Sequence, residues 1–322
     1  MYKLSDRFII TIHKNENFTK NEIQNNKNMF ITSTDYHEYT NNLKNEYGPI
    51  DMGNIILFIQ YISKLNKNIN KDIPIVYYVY NSNNNCDLLN ALFLFGCYFI
   101  INENYSVEKL LFNINYIFEY CPQYYSDCIS KYNGYIITIK DCFKTNKFII
   151  DNNYFNIDKF DLNEYLYYSN YQFRDMTIIL DKFVAMSCPS NYNFDNIISE
   201  FKKKNIKNII RLNDENSYDK KLFEDNGIIV HDLYFEDMTV PSINIIKKFL
   251  NIISKNLIEE IFAIHCKAGI GRTGILICIY LILRLNFKPK YAITYLRIMR
   301  PGSIMLHQGL FLESINYFKQ YL

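Results

Sequence analysis

The sequence predicts an α/β protein of two tandem domains, each a central mostly parallel sheet flanked by helices. Short β-rich runs alternate with longer amphipathic runs, as parallel strands joined by helical crossovers require. The alternation loosens between Ser126 and Ser169, separating a less regular first half from a cleaner second one. The 322 residues, 49% hydrophobic and 21% charged, suffice for one large or two ordinary domains with a real core.

The elements follow in order. Phe8 to Ile12 reads as a short strand, followed by polar Asn- and Lys-rich sequence to about residue 50. Apolar residues at helical spacing run from Gly53 to Leu65, and Pro74 introduces the β-rich Ile75 to Tyr80. Helices are expected over Asp87 to Tyr98 and from Val107 to Tyr120, the latter stopped by Pro122, with a helical piece around Ile137 to Phe143. Beyond the acidic run Asp158 to Tyr165 come strands at Ile178 to Leu180 and Phe183 to Met186, a helix near Phe194 to Lys204 and a strand at Ile206 to Leu212. A helix at Tyr218 to Asp225, a strand at Ile228 to Leu233, a helix at Ser242 to Asn256 and a strand at Ile261 to His265 precede the closing helices. The domains are expected at residues 1–155 and 177–322, with a linker helix over 156–176.

A formal net charge of +2 gives no global field for nucleic acid or an anionic membrane, so any anion site must be local. No stretch approaches the roughly 20 apolar residues of a membrane span, and the opening Met1 to Asp6 lacks an apolar signal core. An intracellular protein of the cytoplasm or nucleus is expected. The eight Cys show no CxxC pair and no His at zinc spacing, so neither a metal nor a cofactor is expected and most are read as buried small hydrophobes.

The segment that carries chemistry is Ile264-His265-Cys266-Lys267-Ala268-Gly269-Ile270-Gly271-Arg272-Thr273-Gly274, between an apolar strand and an apolar helix. A loop entering a helix from the carboxyl end of a parallel strand aims successive N–H groups at one point, where the helix dipole adds positive potential. Cys266 stands at the foot of that anion cradle, whose N–H groups would also stabilise a thiolate. Arg272, on the first helical turn, can grip two phosphate oxygens at once. The Thr273 hydroxyl can donate to the sulfur, and His265 is placed to order the loop.

This pattern, His-Cys-x-x-Gly-x-x-Arg-Thr-Gly, resembles the signature of the protein tyrosine phosphatases. The resemblance implies an upstream acid for the leaving oxygen. Asp237, 29 residues before Cys266, suits it better than Asp232 or Glu236, although an Asp there could merely begin a turn. It also implies that Gln308, after Arg300-Pro301-Gly302-Ser303, holds the hydrolytic water, against the reading of a solvated helix-start residue.

From about Tyr47 onward the chain resembles the cell division cycle fourteen, or mitotic-exit, group of dual-specificity phosphatases. The matching runs are Tyr47 to Met52, Phe160 to Tyr165, Ile209 to Asn213, His231 to Phe235 and His265 to Gly274. The resemblance implies two phosphatase-like domains and phosphorylated protein substrates. In the first domain the loop equivalent, Tyr80 to Asn90, has Cys86 but no Arg or Gly and should be inactive. Members of that group prefer phosphoserine followed by proline with a basic residue further along. Glu164, Asp175 and Arg211 are the groove residues carried over, while Ser169 and Gln172 stand where groove glutamates are usual. Two other readings remain, a phosphoinositide phosphatase, whose second loop Lys is replaced by Ile270, and a phosphopeptide-binding scaffold without turnover.

Overall fold

The computed structural model describes residues 1–13, 29–32, 48–80, 86–121, 123–125, 134–170, 174–190, 193–255 and 260–321. Tyr47, residues 81–85 of the first-domain loop, Pro122, Cys128 and Gln172 lie outside them. The chain forms two compact units, one of Met1–Ser126 with Ile136–Phe160, the other of Asp127–Tyr135 with Asp161–Leu322.

The first unit holds β1 (Tyr2–Lys3), β2 (Phe8–His13), β3 (Met29–Thr32) and β4 (Ile75–Tyr80) in the sheet order β1-β2-β4-β3. β4 runs parallel to both β2 and β3, and β1 is antiparallel to β2. Helix α1 (Met52–Asn68) starts where Asp51 accepts from Asn54 N–H, and buries Met52, Ile55, Ile56, Ile59 and Ile62, the stripe its spacing predicts. Helix α2 (Cys86–Cys97) is apolar and carries Phe95 into a group of aromatic rings with Phe8, Phe58 and Tyr77. The helix expected from Val107 to Tyr120 is α-helical only over α3 (Val107–Ile114) and tightens into a 3₁₀ turn at Asn115–Glu119.

The segment expected as helical from Ile137 is split instead. Tyr124–Tyr125 (β5) pairs with Ile137–Thr138 (β6), and α4 (Ile139–Asp151) begins one residue later. The reason is local: Thr138 and Asp141 form a reciprocal capping box, which fixes the helix start.

In the second unit α5 (Leu162–Ser169) is part of the fold and not a linker. Tyr168 joins the buried cluster with Met176, Val184 and Phe201, and the Tyr165 hydroxyl donates to Met299 O at 2.8 Å. Five strands follow: β7 (Met176–Ile179), β8 (Phe183–Met186), β9 (Asn208–Arg211), β10 (Ile229–Asp232) and β11 (Phe262–His265), in the order β10-β9-β11-β8-β7. All neighbours are parallel except β7 and β8, whose hairpin turns through Leu180 and Asp181 at φ 52° and 50°. Positive φ at both central residues is the geometry of a tight hairpin, which places an antiparallel strand at the edge.

The helices are α6 (Phe194–Lys203), α7 (Lys221–Glu224), α8 (Ile243–Lys255), α9 (Arg272–Leu285), α10 (Pro289–Met299) and α11 (Leu306–Ser314). α7 is shorter than expected, because Glu215–Ser217 forms a separate 3₁₀ turn and Tyr218 lies extended. α9 is buried on nearly every side, as its apolar sequence requires, and stops at Asn286 in the left-handed conformation. No helix among the described residues is long and apolar enough to cross a membrane.

Candidate active site

β11 lies in the middle of the sheet between β8 and β9, so the loop it feeds into α9 emerges among the carboxyl ends of parallel strands. Gly269 has φ 68°, and a Cβ there would stand 2.1 Å from Met186 O, so only glycine lets the loop pass this close to the end of β8. Cys266 is buried, with the Gly269 N–H donating to its Sγ at 3.2 Å. The Lys267 side chain points to solvent, while its carbonyl accepts from Cys188 N–H at 3.0 Å. Ile270 is half-buried, and Gly271, at the start of α9, faces the Gln308 amide.

Arg272 is 5% exposed and fixed from behind, its Nη1 donating to Leu212 O and Phe235 O at 3.0 Å each. Its Nε lies 3.1 Å from Asp237 Oδ1, an ion pair bent too far to make a hydrogen bond. Asp237 is half exposed at the mouth and accepts from Met238 N–H, whose residue turns the chain at φ 62°. Asp237, 35 residues before Arg272 (272 − 237), is thus brought to the loop that carries Cys266 through its pairing with Arg272.

The Thr273 hydroxyl is buried with no hydrogen-bond partner among the described residues, so the expected bond to the sulfur is not formed here. Gln308 is fully buried, and both ends of its amide are engaged. Oε1 accepts from Met305 N–H at 3.2 Å, and Nε2 donates to Thr239 O at 3.2 Å. His307 Nε2 contacts Met238 O, so two side chains of α11 hold the loop that carries Asp237.

Behind the nucleophile, His265 is fully buried and burial pushes it down to about 4, which keeps the ring neutral. Nδ1 lies 3.3 Å from Cys266 O, an acceptor only, so Nδ1 carries the hydrogen and Nε2 accepts from the Tyr218 hydroxyl at 2.8 Å. Nothing in the sequence marked Tyr218. Arg211 is not on a groove: it is 2% exposed, pairs with Asp232 at 2.6 Å and donates to Glu215 O and Tyr218 O. Glu164 pairs with Lys204, and Asp175 with Arg300 at 2.9 Å, so both carried-over groove acids already hold a cation. Arg300, to which the sequence reading assigned no role, also donates to the loop carbonyls of Ala268 and Gly269.

Burial pushes the Cys97, Cys188 and Cys278 thiols up.

The model of the family "Dual specificity protein phosphatase, N-terminal half" matches residues 3–147. That of "Polymorphic toxin system, DSP-PTPase phosphatase" matches residues 184–285. The chain is 32% identical to dual specificity protein phosphatase CDC14B of Mus musculus, over 90% of this chain and 64% of the relative. It is 31% identical to CDC14C of Homo sapiens, over 92% of this chain and 69% of the relative. Identity to the tyrosine-protein phosphatase CDC14 homolog of Schizosaccharomyces pombe is 30%, over 86% of this chain and 54% of that one. The chain therefore spans between about half and about two thirds of the length of these relatives.

Proposed function

This chain belongs to the CDC14 family of dual specificity protein phosphatases, and we propose that its second unit removes phosphate from serine, threonine and tyrosine side chains of proteins through a phosphocysteine on Cys266. The observation that carries this reading is the approach of Gly269 N–H to Cys266 Sγ at 3.2 Å, beside an Arg272 locked by two carbonyls. A sulfur that receives backbone N–H groups is stabilised as thiolate, and the same donors suit a phosphoryl group in flight.

In the first step the Cys266 thiolate attacks phosphorus in line, an S–P bond forms and the P–O bond to the substrate side chain breaks. Asp237, protonated, gives its proton to the departing oxygen. In the second step water attacks phosphorus while the Asp237 carboxylate takes its proton. The S–P bond breaks, inorganic phosphate leaves and the thiolate returns. Arg272 carries the equatorial oxygens through both displacements. Gln308 would hold the attacking water only after releasing one of its two present partners. Thr273, with a free hydroxyl, would turn to the sulfur as it becomes a leaving group.

We place the enzyme in an intracellular compartment, acting on phosphoserine-proline sites in cell-cycle or cell-division proteins. With Glu164 and Asp175 each engaged by a cation, a basic residue beyond the proline should add little. Phosphate release from phosphoserine-proline peptide, phosphotyrosine peptide and phosphoinositide micelles, by wild type and Cys266→Ser, tests the reading. Turnover of both peptides by the wild type and none by the variant is expected. Turnover confined to the lipid, or retained in Cys266→Ser, overturns it.

A further inference from the structure

The geometry points to Arg300, anchored by Asp175, as the positioning residue of the phosphate loop: it sets the peptide planes of two successive loop units, the first of which turns its N–H to the Cys266 sulfur. This deepens the phosphatase reading and rests on it. In a trans peptide the C=O and N–H of one unit point in opposite directions across a rigid plane. Arg300 Nη2 donates to Ala268 O at 3.1 Å, and the N–H of that same unit, belonging to Gly269, donates to Cys266 Sγ at 3.2 Å. Arg300 Nε donates to Gly269 O at 2.8 Å, which turns the Ile270 N–H of the next unit inward. Cys188 N–H holds Lys267 O at 3.0 Å in the same way for the unit before. One guanidinium therefore orients two successive donors of the anion cradle, and a β8-side amide orients a third.

The guanidinium is itself located from the other side. Asp175 Oδ1 lies 2.9 Å from Nη2, and Nη1 reaches Asp175 O at 3.3 Å and Thr177 Oγ1 at 3.2 Å. Asp175 takes φ 49°, a left-handed bend that Asp tolerates better than most residues and that brings its carbonyl and carboxylate onto the same cation. Arg300 is 6% exposed and spent on protein acceptors, so its effect on substrate passes through the loop. Lysine could not reproduce it, because an ammonium is a point charge that cannot span two carbonyls and a carboxylate in one plane.

The test uses full-length Arg300→Lys and Asp175→Asn beside wild type, with three measurements: kcat/KM on a phosphotyrosine peptide, circular dichroism melting, and protection of Cys266 from iodoacetamide by inorganic phosphate, read on the Cys266 peptide by mass. Protection needs no turnover. Arg300→Lys is expected to lose about 10²-fold in kcat/KM and to need roughly tenfold more phosphate for protection, while remaining folded. Asp175→Asn should move both quantities the same way by less. Folded variants that stay within about twofold of wild type in both overturn the inference. If Arg300→Lys does not fold, Asp175→Asn decides alone. A wild type protected by phosphate but without turnover sinks the phosphatase reading and leaves this one to the protection data. A wild type that phosphate does not protect overturns this inference.

Discussion

At the scale of single residues, Asp237 and His265 are the side chains whose chemistry can be separated from the rest of the loop. Asp237 is half exposed and its main partner is Arg272, so removing its carboxylate leaves the core intact. Asp237→Ala should lower kcat about 10²–10⁴-fold with melting temperature unchanged, measured on a phosphoserine peptide whose alkoxide leaves poorly without a proton. An unaltered kcat would assign the acid elsewhere. His265 acts on stability. Its folded pKa of about 4 lies below the 6.5 of an unperturbed histidine, so between those values the unfolded chain binds a proton that the folded chain refuses. The stabilisation from the neutral ring is complete above about 6.5 and is lost as pH falls towards 4, by at most about 3 kcal/mol. Urea midpoints of wild type should fall more steeply across this window than those of His265→Asn, and parallel curves would refute the assignment.

At the scale of elements, the β11–loop–α9 unit works because Gly269 passes over the end of β8 at a distance no side chain tolerates. Gly269→Ala combines a left-handed φ with a clash against Met186 O, and should cost at least about 2 kcal/mol by urea unfolding as well as most of the turnover. A variant with wild-type stability would mean that the loop relaxes away from β8. The acid loop is held differently, by side chains and not by close approach. Gln308 and His307 grip Thr239 O and Met238 O from α11, which explains why Gln308 is buried although it sits at a helix start. Sequence reasoning could place Gln308 near the site, but the pairing of both its amide ends depends on where Met305 and Thr239 arrive.

At the scale of the whole molecule, the second unit is not continuous in sequence. Tyr135, which precedes the first unit's last helix, belongs to it: its carbonyl accepts from Arg297 Nη1 at 2.8 Å and its hydroxyl bonds Glu313. Arg297 is 1% exposed and needs that acceptor together with Ser303 O and Ile304 O. A fragment of residues 161–322 would remove one carbonyl acceptor of a buried guanidinium and uncover Gly309, which the Tyr135 ring covers in the intact chain. It should unfold at lower urea than the same unit in the full chain, by about 2–3 kcal/mol. Equal midpoints by a probe in α9 would show that Tyr135 is dispensable. Substrate choice also belongs to this scale. Phosphoserine-proline peptides with and without a following lysine should differ less than about fivefold in kcat/KM, because an ion pair at an exposed site contributes only about 0–1 kcal/mol.

The sequence by itself determined the α/β class and the strand–loop–helix that carries Cys266 and Arg272, because periodicity, glycine placement and residue chemistry are local properties, whereas Asp237 entered only through the family resemblance. It also located β4, β8 and β11 to within a residue. Only the tertiary structure decided that Arg211 is buried, that Asp175 is bound to Arg300, that Tyr218 backs His265 and that Tyr135 joins the second unit. Each of these is a pairing of a buried charged or polar group with a partner distant in sequence. Burial makes the partner obligatory, but only the folded chain determines which group arrives to meet it.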